Sequence, residues 1–297
     1  MSFDDSICEM QLLAKDGVYL PAAPRAVNEL PLSPGARADV AVYCSEAGAA
    51  NLVSTGRRRQ LQGRLPGGGG TTTGGGGQTA TAGKWTGVAL TVVASGAHAG
   101  QASAVPSFAV TRPCYLASTL GATADTVEAI RLGPLPNFNR NRFSGEDSYE
   151  ASFAAGSLVQ LEVSGVLGTG GHPFHTHVNP YQIVQMTPRD STYYQVGDWH
   201  DTIYDGRDTA VLRFYADTFT GKMVMHCHFL NHEDEGMMVV YQITGNEGDV
   251  YAKAETLDPT CYRGADGRGS QIDPSSACTR IATRSGLRYR SGIMKAA

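Results

Sequence analysis

The sequence predicts an all-β protein made of Greek-key β-sandwiches. Three observations carry this expectation. Short stretches of alternating apolar and polar residues recur along the chain, glycine-rich turn signals separate them, and no long amphipathic helical period interrupts them. The composition agrees. Glycine supplies 36 of 297 residues, well above the usual ~7%. Charged residues make up 18%, below the usual ~25%. Such a chain is too apolar to be disordered, and its length is that of two domains with real cores.

The elements follow in order. Met10, Leu12 and Ala14 recur at every second position, Asp16-Gly17 is a hairpin signal, and Val18-Tyr19-Leu20 resumes the apolar run. After the turn at Pro34-Gly35 a second strand is expected over Ala38–Cys44, with Val40 and Val42 alternating. Residues 56–84 run from Arg57-Arg58-Arg59 into Gly67–Gly70 and Gly74–Gly77 with almost nothing to bury, which reads as a disordered insert. A phosphate-cradling loop is excluded there, because Gly83-Lys84 is followed by Trp85 rather than Ser or Thr, with no strand before it. Trp85–Ala94 is strand-like and leads to a Pro-punctuated stretch through Pro106 and Pro113. From about 115 a second unit begins, with strands expected at Leu158–Val163, Tyr181–Met186, Ala210–Tyr215, Lys222–His228 and Met237–Ile243. Three regions result: 1–112, 115–250, and a polar tail at 251–297 in which basic residues outnumber acidic ones.

Several function classes drop out. A net charge of −4 argues against a polyanion-binding surface, so no nucleic-acid partner is expected. The longest apolar run, Val88–Ala94, falls far short of the ~18 residues of a membrane span. Met1–Cys8 has neither a basic nor an apolar segment and is not a signal peptide. Of six cysteines, Cys8, Cys44, Cys114, Cys261 and Cys278 have ordinary neighbours, whereas Cys227 lies between two histidines. The five would suit disulfides and an oxidising or extracellular compartment. Cys8 and Cys44, near the ends of two expected strands, are one pairing that sequence alone leaves open.

Six of the eight histidines fall in two windows, His172-Pro-Phe-His175-Thr-His177 and His226-Cys227-His228-Phe-Leu-Asn-His232-Glu-Asp-Glu-Gly-Met237. Successive side chains of a strand point to opposite faces. His226 and His228 therefore share one face and Cys227 takes the other, so one tripeptide can serve two metal sites. A Cys, two imidazoles and a distant thioether form the soft trigonal set of a type 1 copper site. His172 and His232 would supply the imidazoles and Met237 the thioether, with Gly236 easing the turn before it. His175 and His177, two residues apart, would meet His226 and His228. Zinc is the rival metal, but a structural zinc site takes four ligands and would leave several histidines without a role.

The two windows, His172-Pro-Phe-His-Thr-His-Val-Asn-Pro-Tyr-Gln182 and His226 through Met238, resemble the C-terminal part of multicopper oxidases of the laccase, ascorbate oxidase and copper-efflux type. The Asp16-Gly17 hairpin and Pro34–Asp39 resemble, more weakly, the family's middle domain. The resemblance implies cupredoxin-like sandwiches, one complete and one partial. It implies a type 1 copper on His172, Cys227 and His232 with Met237 axial, a type 2 copper on His175, and a type 3 pair on His177, His226 and His228. It further implies one-electron oxidation of a small reducing substrate (a phenol, an aromatic amine or a metal ion), with electrons carried through Cys227 and its neighbours His226 and His228 to dioxygen. The family's trinuclear centre takes eight histidines and this chain offers four, so the type 2 and type 3 sites are half-liganded.

The first-domain His-x-His motifs that would supply the rest do not occur in this sequence. The expectation is a C-terminal piece of a larger oxidase; the alternatives are a blue-copper electron-transfer module and an inactive fragment. Isolated His98 and His200 are read as non-ligands. Leu230 and Asn231 stand where relatives often place a proton-carrying carboxylate. Asp198 and Asp201 are read as turn residues or supports of the metal ligands. Glu233, Asp234 and Glu235 form an acidic loop that would either face solvent or attract cations.

Overall fold

Alternation of buried and exposed side chains along short strands demands sheets that pack face to face, and this is what the computed structural model contains. It describes residues 1–4, 7–54, 87–95, 116–133, 136–145, 147–165, 171–187, 192–205 and 209–253. The insert expected at 56–84, the tail beyond Lys253, His98, Cys114, Cys261 and Cys278 lie outside the described residues. The chain divides into two units. The first comprises Met1–Gln11, Ala26–Pro31 and Ala41–Val105; the second comprises Leu12–Arg25, Leu32–Val40 and Pro106–Ala297.

The early strands are β1 (Ser2–Phe3), β2 (Cys8–Lys15), β3 (Val18–Tyr19), β4 (Arg25–Val27), β5 (Ala38–Cys44), β6 (Gly48–Ser54) and β7 (Gly87–Ala94). In the first unit β1, β6 and β7 form a three-stranded sheet. Cys8 and Cys44 are joined by a disulfide across 36 residues and pack with Ala50 in a small buried cluster. In the chain-entropy account a loop of that length contributes about 4 kcal/mol. In the second unit Lys15 pairs with Val18 around the Asp16-Gly17 turn, whose residues have φ of 49° and 82°. A two-residue hairpin with positive φ at both positions is the reason for the Asp-Gly pair.

The later strands are β8 (Thr126–Leu132), β9 (Tyr149–Ala154), β10 (Leu158–Gly165), β11 (His172–Thr176), β12 (Tyr181–Met186), β13 (Trp199–His200), β14 (Thr202–Asp205), β15 (Thr209–Tyr215), β16 (Gly221–Cys227) and β17 (Met238–Thr244). Among the described residues the only helix is α1 (Leu230–Asp234). Two five-stranded sheets result, ordered β13-β12-β15-β10-β8 and β14-β11-β16-β17-β9. Their inner rows, Leu161, Val163, Leu212 and Phe214 on one and Phe153, Met223, Met225 and Tyr241 on the other, are at most 0% exposed. Burying each such side chain contributes roughly 1.5–3 kcal/mol. Phe153 joins the layers: its ring meets Phe214 edge-on at 5.7 Å and stacks on Tyr241 at 4.9 Å. β8 and β9 pair in parallel with β10 and β17, while the central pairs are antiparallel, as chain crossovers between sheets require. No helix of the described residues is long and apolar enough to cross a membrane.

Candidate metal centre

Strand register sorts the donors. β11 and β16 run antiparallel, with Phe174 opposite Cys227 and His175 opposite His226. Residues directly opposite point to the same face, and the face alternates along each strand. His172, two residues before Phe174, therefore shares the Cys227 face, while His175 and His226 share the other. The side chains obey this parity. His172, Cys227 and His232 bring one donor atom each within 4.8 Å of one another, and so, separately, do His175, His177 and His226.

In the first group Cys227 Sγ lies 3.5 Å from His172 Nδ1 and 3.7 Å from His232 Nδ1, and the two Nδ1 atoms are 3.3 Å apart. His172 Nε2–H donates to the Gly133 carbonyl at 3.0 Å, which leaves the Nδ1 lone pair facing the thiol. His232 arrives on α1, whose chain then turns back at Gly236 (φ 95°). Met237 N–H donates to the His232 carbonyl at 2.8 Å, and Cys227 N–H donates to the Met237 carbonyl at 3.1 Å. Met237 is fully buried beside Cys227.

In the second group the His175 ring centroid lies 5.0 Å from that of His177, 5.1 Å from His226 and 5.4 Å from His228. His228 thus joins by its ring although it is not among the three closest donors. His175 Nδ1–H donates to the Asp201 carbonyl and meets Thr202 Oγ1, both at 2.9 Å. His226 Nδ1 lies 3.1 Å from the Cys227 carbonyl and 3.2 Å from Glu233 Oε2, and its Nε2 is 3.1 Å from His177 Nε2. The Nε2 atoms are left to converge.

Electrostatics hold these groups in ligand form. Burial pushes His172 and His226 down to about 4. Burial also lowers His177 and His232. Neutral imidazoles are what a metal needs. Burial pushes the Cys227 thiol up to about 12, so only a bound cation would hold it as thiolate near neutral pH. A thiol with two imidazoles suits a soft transition metal, and a purely imidazole group beside it suits the same metal in a second role.

A buried network lies next to the second group. Asp198 accepts from Lys15 at 2.7 Å and from Arg25 at 2.9 and 2.8 Å. Burial alone would raise the Asp198 carboxyl, but the hydrogen bonds and charges of Arg25 and Lys15 outweigh it and hold the group below its ordinary range. His200 is buried against Asp16 (3.3 Å) and Lys15 (3.5 Å), away from both donor groups. Asp16 also accepts the backbone N–H groups of Asp201 and Thr202 at 3.2 Å, and Asp201 is paired with Arg37 at 2.6 Å. Gly133, Asp16, Arg37, Thr202 and Glu233 were not read as site residues from sequence. Glu233 alone left a signal, since it stands next to His232; the others come from distant segments.

The fold and its paired donor groups define a β-sandwich domain with two candidate metal sites. Residues 109–247 match the family described as multicopper oxidase. Bilirubin oxidase of Albifimbria verrucaria is 26% identical over 135 residues, covering 43% of this chain and 23% of that protein. A laccase of Bacillus subtilis is 32% identical over 94 residues, 25% of this chain and 18% of its own length. The chain thus spans less than a quarter of the length of these relatives in the matched regions. Among solved structures, a multicopper oxidase from Campylobacter jejuni matches with TM-score 0.58 and 17% identity, over 82% of this chain and 50% of that one. A laccase-like oxidase from Ochrobactrum sp. matches with TM-score 0.59 and 17% identity, over 82% and 52%. These likenesses show the shared fold.

Proposed function

We propose that this chain is part of a copper-dependent oxidase, coupling one-electron oxidation of a small reducing substrate to reduction of dioxygen to water. In this reading His172, Cys227, His232 and Met237 form the type 1 site. His175 belongs to the type 2 copper, and His177, His226 and His228 belong to the type 3 pair, so the chain contributes half of a trinuclear cluster. Residues 115–250 are the complete cupredoxin domain, 1–112 part of another, and 251–297 a tail. The observation that carries the reading is the split of His226-Cys227-His228 between two donor groups.

Bound copper would supply the one-electron redox chemistry and the site of dioxygen reduction. The chain's residues do the rest. Gly133 and Asp201 carbonyls set the tautomers of His172 and His175, and Glu233 orients His226. Cys227 would hold the metal as thiolate, its proton released to solvent, and the peptide links on either side of it would connect the two groups. The disulfide at Cys8–Cys44 supports an oxidising or extracellular compartment. A second reading, an electron-transfer module, is favoured by the first group alone, whose Cys and two His donors all come from this chain.

Copper loading tests the proposal. The full chain is expected to show the intense visible absorption of a copper–thiolate bond, and Cys227→Ser to abolish it. A colourless copper-loaded protein would overturn the type 1 assignment. The chain alone should consume no oxygen with a phenolic donor; steady uptake would overturn the half-cluster assignment.

A further inference from the structure

A two-residue hairpin turn asks of its first residue only a positive φ, which Asn or Gly meets as well as Asp. Gly17, at the second position, faces open space, as a surface turn should. Asp16 does not: its side chain is 1% exposed. Arg37 N–H donates to its Oδ1 at 2.8 Å, and the N–H groups of Asp201 and Thr202 donate to its Oδ2 at 3.2 Å. His200 Nδ1 lies 3.3 Å from the same Oδ2. The turn accounts for the Asp16 backbone but not for this burial among N–H groups from a distant segment.

That segment is where β14 begins, at the edge of its sheet. Thr202 N–H and the Asp201 carbonyl belong to one planar trans peptide and point to its opposite edges. Asp16 Oδ2 therefore grips this peptide from one edge. At the other edge the Asp201 carbonyl accepts from Thr176 N–H at 3.0 Å and from His175 Nδ1–H at 2.9 Å. Thr202 Oγ1 lies 2.9 Å from the same Nδ1 and gives its own proton to Asp201 Oδ1 at 2.8 Å. The Asp201 carboxylate is in turn clamped by Arg37 Nη1 and Nη2 at 2.8 and 2.6 Å. These groups offer His175 Nδ1 only acceptors, so the proton sits on Nδ1 and Nε2 keeps its lone pair.

We propose that Asp16 is a positioning residue for the histidine donor group. Its side-chain oxygen anchors the Asp201–Thr202 peptide, and that peptide orients the His175 ring so that Nε2 is the donor that meets His177 and His226. The inference rests on the reading of His175 as a copper ligand. Groups that orient a ligand in this way are worth about tenfold or more in metal affinity. The first donor group has its own support, the Gly133 carbonyl on His172, and does not depend on Asp16.

Two measurements on the full chain test this. Nitrogen-15 magnetic resonance of the metal-free protein reads the His175 tautomer. Copper(II) titration against a chelator reads affinity, with the visible band reporting the Cys227 group and the remaining copper the histidine group. Wild type should carry the proton on Nδ1. Asp16→Gly keeps the turn type; it should shift part of the proton to Nε2 and weaken copper at the histidine group about tenfold, with the visible band unchanged. Asp16→Asn, whose amide oxygen can still accept from Thr202 N–H, should stay within about twofold of wild type. Lys15→Met removes a buried neighbour without touching the peptide, and should lower stability while leaving the tautomer in place. A wild-type proton on Nε2, a folded Asp16→Gly chain with unchanged tautomer and copper affinity, or an equal shift in Lys15→Met would overturn the proposal. The first of these needs no variant, so the proposal can fail even where Asp16→Gly does not fold. Absence of copper from the wild-type histidine group would instead overturn the function proposed above, and the tautomer would still report on Asp16.

Discussion

His226 and Cys227 are consecutive residues, yet their side chains belong to different donor groups. Strand parity alone separates them, and the register with His175 and Phe174 fills each face with its own partners. Damage to one group should therefore spare the other. His172→Ala is expected to remove the visible absorption of the copper-loaded chain while copper still binds at His175, His177 and His226. His177→Ala should do the reverse. Absorption and paramagnetic resonance spectra of the two loaded variants check this, and loss of both signals in either variant would count against two separable groups.

What could be read from the sequence was what is local. The two histidine windows place donors two residues apart, and the period of a strand turns that spacing into shared faces. Asp16-Gly17 announced its hairpin for the same reason, through a turn type that needs positive φ. The cross-strand disulfide was visible as one open pairing and is formed. Partners brought in from afar were not legible. Gly133 O reaches His172 across 39 residues, and Lys15 reaches Asp198 across 183. Nothing in the composition around Lys15 marks it as buried, since it ends β2 directly before the Asp16-Gly17 turn. The sequence does not mark β8 and β9 either, because edge strands with exposed apolar residues such as Val127 lack a clean apolar alternation.

Asp198 is the one carboxylate shared by Lys15 and Arg25, with Lys15 fully buried and Asp198 1% exposed. Removing it strands two cations, one of them without water. Asp198→Ala is expected to destabilise the second unit by about 3–5 kcal/mol, and Lys15→Met by less, since Asp198 then keeps Arg25. The Asp198 carboxyl is held below its ordinary value of 3.8. Its contribution is therefore present above that value and is lost as pH falls through the lower folded one. Denaturant melts of wild type and Asp198→Asn between pH 2 and 7 should converge at the acid end.

Asp217 runs the opposite way. Its folded value is pushed up to about 7 by burial from an ordinary 3.8. The proton-bound form is favoured in the fold, so the contribution is complete below pH ~4 and is lost as pH rises towards 7 and beyond. Asp217→Asn cannot ionise. Its melting temperature should match wild type near pH 4 and exceed it by a few degrees at pH 8. Identical pH profiles for the two proteins would show that Asp217 does not titrate in this range.

Gly35 connects a turn read in the sequence to the second donor group. It has φ 82°, and a Cβ built on it would overlap the ring of His228. Its carbonyl accepts from Arg37 Nη1 at 2.9 Å, and Arg37 in turn grips Asp201, whose backbone carbonyl accepts from His175. An alanine here meets two penalties: a left-handed backbone that side chains resist, and an imidazole that must move. The His228 ring packs against His175 and His226 at 5.4 and 5.3 Å, so its displacement disturbs the second group and leaves His172, Cys227 and His232 alone. Gly35→Ala is therefore expected to keep the copper–thiolate absorption while weakening copper binding at the histidine group about tenfold, the usual scale for a disturbed ligand support. Competition with a chelator, followed separately by the visible band and by the remaining copper, distinguishes the two. A variant that loses the visible band first would place Gly35 on the wrong side of the strand.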